Sequence, residues 1–299
     1  MGLSAARPPA PDSRWQLSAL STATKAVASA AALSALAAGL RGQRLRRQRQ
    51  AAGCGRTRLA SIGNWPKGAA IFASADEVLR DVKWPDSWPY TSEDLTRADE
   101  SDDRNFYNEP RLCTHIDDGS IDSLKNYYAE VFPTYADARI LDICSSHISH
   151  YPEQKCWSRV SVTGMNEYEL SRNVQADDYV VQNLNDQPEL PFQTASFDVV
   201  TCTVSFDYLC KPLEVMREVG RVLKPGGSVI LSTSNRCFPT KAVNIWLRTN
   251  DMEHILIYGS YIHFSGAFEP PEARDISAPL GRVGLGDPMY VIQARKKVA

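Results

Sequence analysis

"FDVVTCTV" (Phe197–Val204), followed after a proline-led segment by "EVGRVLKPGGSVIL" (Glu218–Leu231), is the stretch whose reading decides the fold. Both apolar runs are rich in Val and Ile and do not alternate strictly, as expected of strands covered on both faces. Between them Leu209, Leu213, Met216, Val219 and Leu223 fall on one helical face, with Pro212 near the first turn. Strand, helix and strand in that order predict a parallel crossover unit. Lys224-Pro225-Gly226-Gly227 is the expected stop between helix and second strand, because proline and glycine end helices and turn the chain.

Working outward, "ARILDI" (138–143), "RVSVTG" (159–164) and "YVVQNL" (179–184) are further runs of the same kind, separated by helical or turn segments. The alternation predicts an α/β fold with a doubly wound, mostly parallel sheet. Upstream, Ile121, Leu124, Tyr128 and Val131 recur at helical spacing in "GSIDSLKNYYAEVF" (119–132), with Ser120 as the expected N-cap. Downstream, "MEHILIYGSYIHF" (252–264) predicts another helix, and "PEARDIS" and "MYVIQARK" a last strand pair. Pro270 and Pro271 put the first of that pair at an edge.

Charge divides the 299 residues unevenly. Residues 1–60 hold ten Lys and Arg against Asp12 alone, a net of +9, which leaves −11 for the rest. An acidic body argues against nucleic acid as a partner, since that affinity rests on Lys and Arg neutralising phosphates. The first 60 residues, rich in Ala, Ser and Arg, have the composition of an organelle-targeting segment, with plastid the favoured address and mitochondrion the alternative. A disordered basic tail is the other open reading. The apolar run of 15 at 26–40 is short for a stable membrane span, though it would suit a signal-peptide core. Residues 61–118, polar, aromatic and rich in proline, read as an irregular N-terminal arm on a domain spanning 119–299. The seven scattered cysteines include no C-x-x-C pair and read as reduced thiols, with neither a disulfide framework nor a metal site.

The runs quoted first, with "LPFQTASFDVV" (190–200) and "DPMYVIQARK" (287–296), resemble the later motifs and closing strand of the Rossmann-like S-adenosyl-L-methionine-dependent methyltransferases of the small-molecule type called type 11. The order and spacing of several motifs over about 121–299 carry the resemblance. "THIDD", "SHYP" and "SNRCFPTKA" are similar to a plant and algal subgroup. The resemblance implies a class I, seven-stranded, Rossmann-like sheet, S-adenosyl-L-methionine as cofactor and a small-molecule methyl acceptor.

Carried over by position, the resemblance puts Asp142 at the acid ending the first strand. It aligns Cys144, Ser145 and Ser146 with the family's Gly-x-Gly and Ile148 with the next glycine. Glycine suits such a loop because it takes positive φ and lets a ligand approach the backbone. Serine hydroxyls are the expected substitutes as donors to the cofactor's carboxylate. Asn166 stands where the family has a ribose-binding acid, Asn183 where it has an adenine-contacting acid, and Leu184 follows. In "VSFDYL" (204–209), Ser205 and Tyr208 are catalytic candidates, and His254 on the late helix is a third. The place lacks the Asp or Asn-Pro-Pro-Tyr of enzymes that methylate amide or adenine nitrogens. Asn235, Arg236 and His263 are candidate substrate contacts, Arg236 suiting an anionic or carbonyl-bearing molecule. His147 and His150 lie in the cofactor loop and at the start of the helix expected after it, while Tyr107, Arg111 and His115 are what the arm could add. The altered loop leaves a second reading open, a non-catalytic scaffold that keeps the fold. A nicotinamide dehydrogenase is weaker still, as G-x-G-x-x-G is absent.

Overall fold

The computed structural model describes residues 74–153 and 156–298. The charged segment 1–60, its apolar run and the first part of the arm lie outside the described residues. Seven strands form one sheet: β1 (Arg139–Asp142), β2 (Arg159–Gly164), β3 (Asp178–Val181), β4 (Phe197–Thr203), β5 (Leu223–Thr233), β6 (Glu272–Asp275) and β7 (Tyr290–Arg295). Their order is β3-β2-β1-β4-β5-β7-β6, with β7 antiparallel to both neighbours and β1 to β5 paired in parallel. This is the class I methyltransferase arrangement of a Rossmann-like α/β fold. Register aligns Asp142 with Val162 on one side and Thr201 on the other, so the ends of β1, β2 and β4 open at one edge. Successive strands run outward from β1 to β3 on one side and from β4 on the other, so the strand order reverses between β1 and β4, the kind of crevice in which open α/β sheets bind ligands.

β1, β2 and β4 are buried almost throughout, as their unbroken apolar runs predict. β3 departs from that expectation: as the edge strand it alternates between half-buried and exposed residues, leaving Tyr179 and Val181 in solvent. The helix expected after β1 is absent from the described residues 143–153 and 156–158, which follow an irregular path from the loop to β2. β5 also starts earlier than expected. The preceding helix, Pro212–Val222 with proline at its first position, ends before Lys224, and Leu223 already pairs with Phe197. The register then shifts, and Gly226 takes φ 76° where the strand is displaced. The Asp118–Val131 helix is capped by Asp117 and not by Ser120, since the Asp117 carboxylate accepts from the Ser120 backbone N–H.

The helix Asp251–Ser265 begins with a capping box, in which Asn250 and Glu253 accept from each other's end of the first turn. Ten consecutive residues of it, Glu253–Ile262, are buried. The arm is the reason for its full burial. Trp88 stacks on Tyr261 at 5.7 Å, Tyr90 OH meets Ser260 Oγ at 2.7 Å, and Leu79 fills the space above Gly259. A Cβ at Gly259 would lie 2.6 Å from Leu79 Cδ2, so the glycine admits the close approach of the arm. Among the described residues no helix is long and apolar enough to cross a membrane.

Candidate functional site

A cavity of about 250 Å³ opens where β1, β2 and β4 end, roofed by arm residues 97–116. Its floor begins at the loop after β1. Cys144 there has φ 54°, the left-handed region, so a cysteine adopts the backbone that a glycine usually supplies. Ser145 N–H donates to the Thr163 carbonyl at 2.7 Å and pins the loop to β2. Gly164 makes this approach possible: a Cβ on it would lie 2.2 Å from the Ser145 carbonyl oxygen. Gly164→Ala must therefore displace backbone, and we expect it to cost about 2 kcal/mol. A urea unfolding midpoint equal to that of the unaltered protein would refute this packing.

The Asp142 carboxylate lies beneath the loop, buried, and accepts from Ser145 Oγ at 2.7 Å and Thr201 Oγ1 at 2.8 Å. Because Thr201 spends its proton on Asp142, Tyr151 OH donates to Thr201 Oγ1, at 2.6 Å. Burial pushes the Asp142 carboxyl up to about 6, against the pull of its hydroxyl donors. Ser146 Oγ donates to Glu169 Oε2 at 2.6 Å. Both serine protons are therefore committed inside the protein. The expectation has them donate to the cofactor's carboxylate, whereas here they donate to the Asp142 and Glu169 carboxylates.

Asn166 also turns inward. Its Oδ1 caps the short helix Glu167–Leu170 by accepting from Glu169 N–H, and its Nδ2 donates to the carbonyls of Tyr107 and Asn108. Both amide protons thus tie the arm down and are spent before any ribose arrives, leaving only an acceptor lone pair. Asn183 Oδ1 accepts from Asn185 N–H in a tight turn, and buried Leu184 presents an apolar wall beside Met165. Ser205 Oγ donates to the Thr203 carbonyl, while Tyr208 OH accepts from Phe238 N–H. Burial holds the Tyr208 phenol well above its usual range, which removes it as a base at neutral pH.

Of the residues singled out from the sequence, Asp142, Cys144, Ser145, Ser146, Asn166, Asn183, Leu184, Ser205, Tyr208 and Arg236 line this one cavity. His147, His150, Tyr107, Arg111 and His115 join them. Arg236 is ion-paired with Asp287 at 2.7 Å. Asn235, His254 and His263 are not among the lining residues, and their candidate roles are corrected accordingly. Asn235 is exposed beyond the rim. His254 is buried against Trp246, ring centroids 3.6 Å apart, and its Nε2–H donates to the Trp246 carbonyl. Burial lowers it to about 4, so it stays neutral at physiological pH. His263 stacks on Trp84 at 4.7 Å.

The arm is held to the domain by a buried ionic cluster that sequence reasoning missed. Lys241, fully buried, donates to the carbonyls of Asp99 and Ser101 and pairs with Asp103 Oδ1 at 3.2 Å and Asp99 Oδ2 at 3.1 Å. Arg97 joins Asp103 at 2.7 Å, and Asn185 Nδ2 donates to the other Asp103 oxygen. Glu169 binds the arm from below by accepting from Arg111 N–H. Among the described residues no cluster of three His, Cys, Asp or Glu is arranged to hold a metal ion.

Two buried polar atoms on residues of the cavity wall, Thr163 Oγ1 and His150 Nδ1, have no hydrogen-bond partner in the protein. Such atoms are costly to leave unmade and mark places for a polar ligand. With the left-handed loop, the bare Gly164 and the apolar side chains of Met165 and Leu184 in the wall, they fit an amino-acid nucleoside.

Residues 141–231 match the model of the family described as a methyltransferase domain. Over 115 residues the chain is 27% identical to a malonyl-(acyl-carrier protein) O-methyltransferase of a Marinomonas species, covering 38% of this chain and 43% of that protein. Over 67 residues it is 43% identical to a ubiquinone biosynthesis O-methyltransferase of Xanthomonas oryzae pv. oryzae, covering 22% of this chain and 27% of that protein. The matched part spans less than half the length of these relatives. Among solved structures, the YcgJ protein of Bacillus subtilis superposes with a TM-score of 0.41 at 14% identity, covering 60% of this chain and 99% of that one.

Proposed function

We propose, for a chain that carries a class I, Rossmann-like methyltransferase domain, that it transfers a methyl group from S-adenosyl-L-methionine to a small molecule. The observation that carries this reading is the open crevice at the ends of β1, β2 and β4, in which Cys144 keeps a glycine's backbone conformation and Gly164 keeps the space above it. A loop that has lost its glycines but not its shape retains the room the cofactor needs. The named relatives are O-methyltransferases, which supports an oxygen atom as the acceptor. The cofactor supplies an activated methyl group. The protein's part is to align the acceptor and exclude water, and the roof made by residues 97–116 suits that task.

A second reading, a scaffold that has lost the cofactor, is favoured by one specific observation: Ser145, Ser146 and Asn166 spend their protons within the protein. Calorimetric titration of S-adenosylhomocysteine into the full chain separates the two. We expect micromolar binding, with Gly164→Ala weakening it at least tenfold. No heat up to millimolar ligand would leave the scaffold.

A further inference from the structure

We infer that His147 is the proton acceptor for the hydroxyl group of the methyl acceptor, held in the required tautomer by Ser146 and Glu169. The inference rests on the methyltransferase reading above and deepens it by naming the acceptor's chemistry, an acidic hydroxyl of the phenol or enol kind.

The argument is one of counting protons. Glu169, as a carboxylate, can only accept, so the Ser146 hydroxyl spends its single proton on Glu169 Oε2, 2.6 Å away. Ser146 Oγ also lies 3.1 Å from His147 Nδ1. With no proton left to give, the serine oxygen must accept there, and His147 carries its proton on Nδ1. The neutral ring then has a bare Nε2, the nitrogen able to take a proton. Glu169 is itself held, accepting from Arg111 N–H at 2.7 Å while its own N–H is capped by Asn166. The chain from Glu169 through Ser146 to His147 thus orients a base as a carboxylate orients histidine in hydrolytic triads, with a hydroxyl interposed.

His147 lines the cavity, as do His115 and His150, whose ionisation burial disfavours. Neither competes for the role. The His150 ring is buried and held down to about 4, and the His115 ring packs edge-on against Phe238 at 5.5 Å. Phe238, Tyr107 and Tyr208 give the cavity aromatic walls that suit a planar hydroxylated ring. In the step itself the acceptor's O–H bond breaks, its electron pair stays on oxygen, and the proton forms the new bond at Nε2. The imidazolium later returns that proton to solvent. Ser146, which stands in the place of a glycine, and His147 beside it would on this account supply chemistry that a glycine loop cannot.

The test uses the full chain saturated with S-adenosylhomocysteine and 4-nitrophenol as probe, since its phenolate is coloured and its phenol is not. At a pH below the probe's own pKa, binding is expected to raise the phenolate band several-fold, and His147→Gln to abolish the rise. Nitrogen NMR of histidine-labelled protein is expected to show His147 protonated at Nδ1. In Glu169→Gln the amide can donate to Ser146, whose proton then turns to Nδ1, so the tautomer is expected to flip to Nε2–H and the band to fall. A probe that binds as phenol, a probe that fails to bind although S-adenosylhomocysteine does, or a ring found as Nε2–H overturns the inference and leaves the methyltransferase reading standing. Failure of S-adenosylhomocysteine itself to bind overturns both.

Discussion

Lys241→Met is expected to lower the unfolding free energy by about 3–5 kcal/mol, because it removes one member of a buried ionic cluster and leaves the other unpaid for in the interior. The Lys241 ammonium has no solvent exposure, and Asp103 is nearly as buried. Methionine keeps the volume of the stem but deserts two carboxylates and two carbonyls. Arg97 still holds Asp103 at 2.7 Å, so the cluster is weakened and not emptied. The second consequence is local. Residues 97–108 cross the cavity anchored by Lys241 at one end and Asn166 at the other, and losing the lysine is expected to expose this segment to limited proteolysis before the domain unfolds. A loss of less than about 1 kcal/mol in the urea-unfolding free energy would mean that the lysine is dispensable.

Asp207→Asn is expected to stabilise the protein increasingly as pH rises. Asp207 is fully buried, Tyr258 OH reaches one of its oxygens only at 3.4 Å, and its Oδ2 has no partner. Burial pushes its carboxyl up to about 7. A carboxyl raised in the folded state contributes stability that is complete below the unfolded value, near 4, and is lost as pH climbs through the folded value. The loss amounts to about 4 kcal/mol by pH 8, and an asparagine, which cannot ionise, does not suffer it. His150 and His254, both lowered to about 4, act in the opposite sense. Their contribution is present above the unfolded histidine value and disappears as the solution is acidified. The measurement is therefore the difference between variant and unaltered protein at each pH from 5 to 8, in which the histidines cancel. A difference that does not grow with pH would show that Asp207 ionises freely.

The sheet was legible from the chain because its information is local and redundant. An apolar run either alternates or it does not, and five runs separated by helical stretches leave few alternatives to a doubly wound sheet. The cavity was legible for the same reason: once β1, β2 and β4 are parallel neighbours, the loops after them must meet, and Asp142, Cys144, Asn166, Asn183 and Ser205 come together whatever their side chains then do. The helix Asp251–Ser265 shows where such reasoning stops. Buried on all sides from Glu253 to Ile262, it has no solvent face there to reveal its orientation, so His254 and the exposed His263 could be put on the helix but not on a side of it.

What the sequence by itself determined is the order of strands, the edge at which they open and the loops that gather there. What only the tertiary structure decided is where each polar proton goes. Ser146 to Glu169, Asn166 to Tyr107 and Lys241 to Asp99 join residues 23, 59 and 142 positions apart in the chain. A hydrogen bond needs its partners within about 3 Å and correctly aimed. No periodicity in a sequence records such a distance, so the packed fold alone distinguishes a donor kept for a ligand from one already spent.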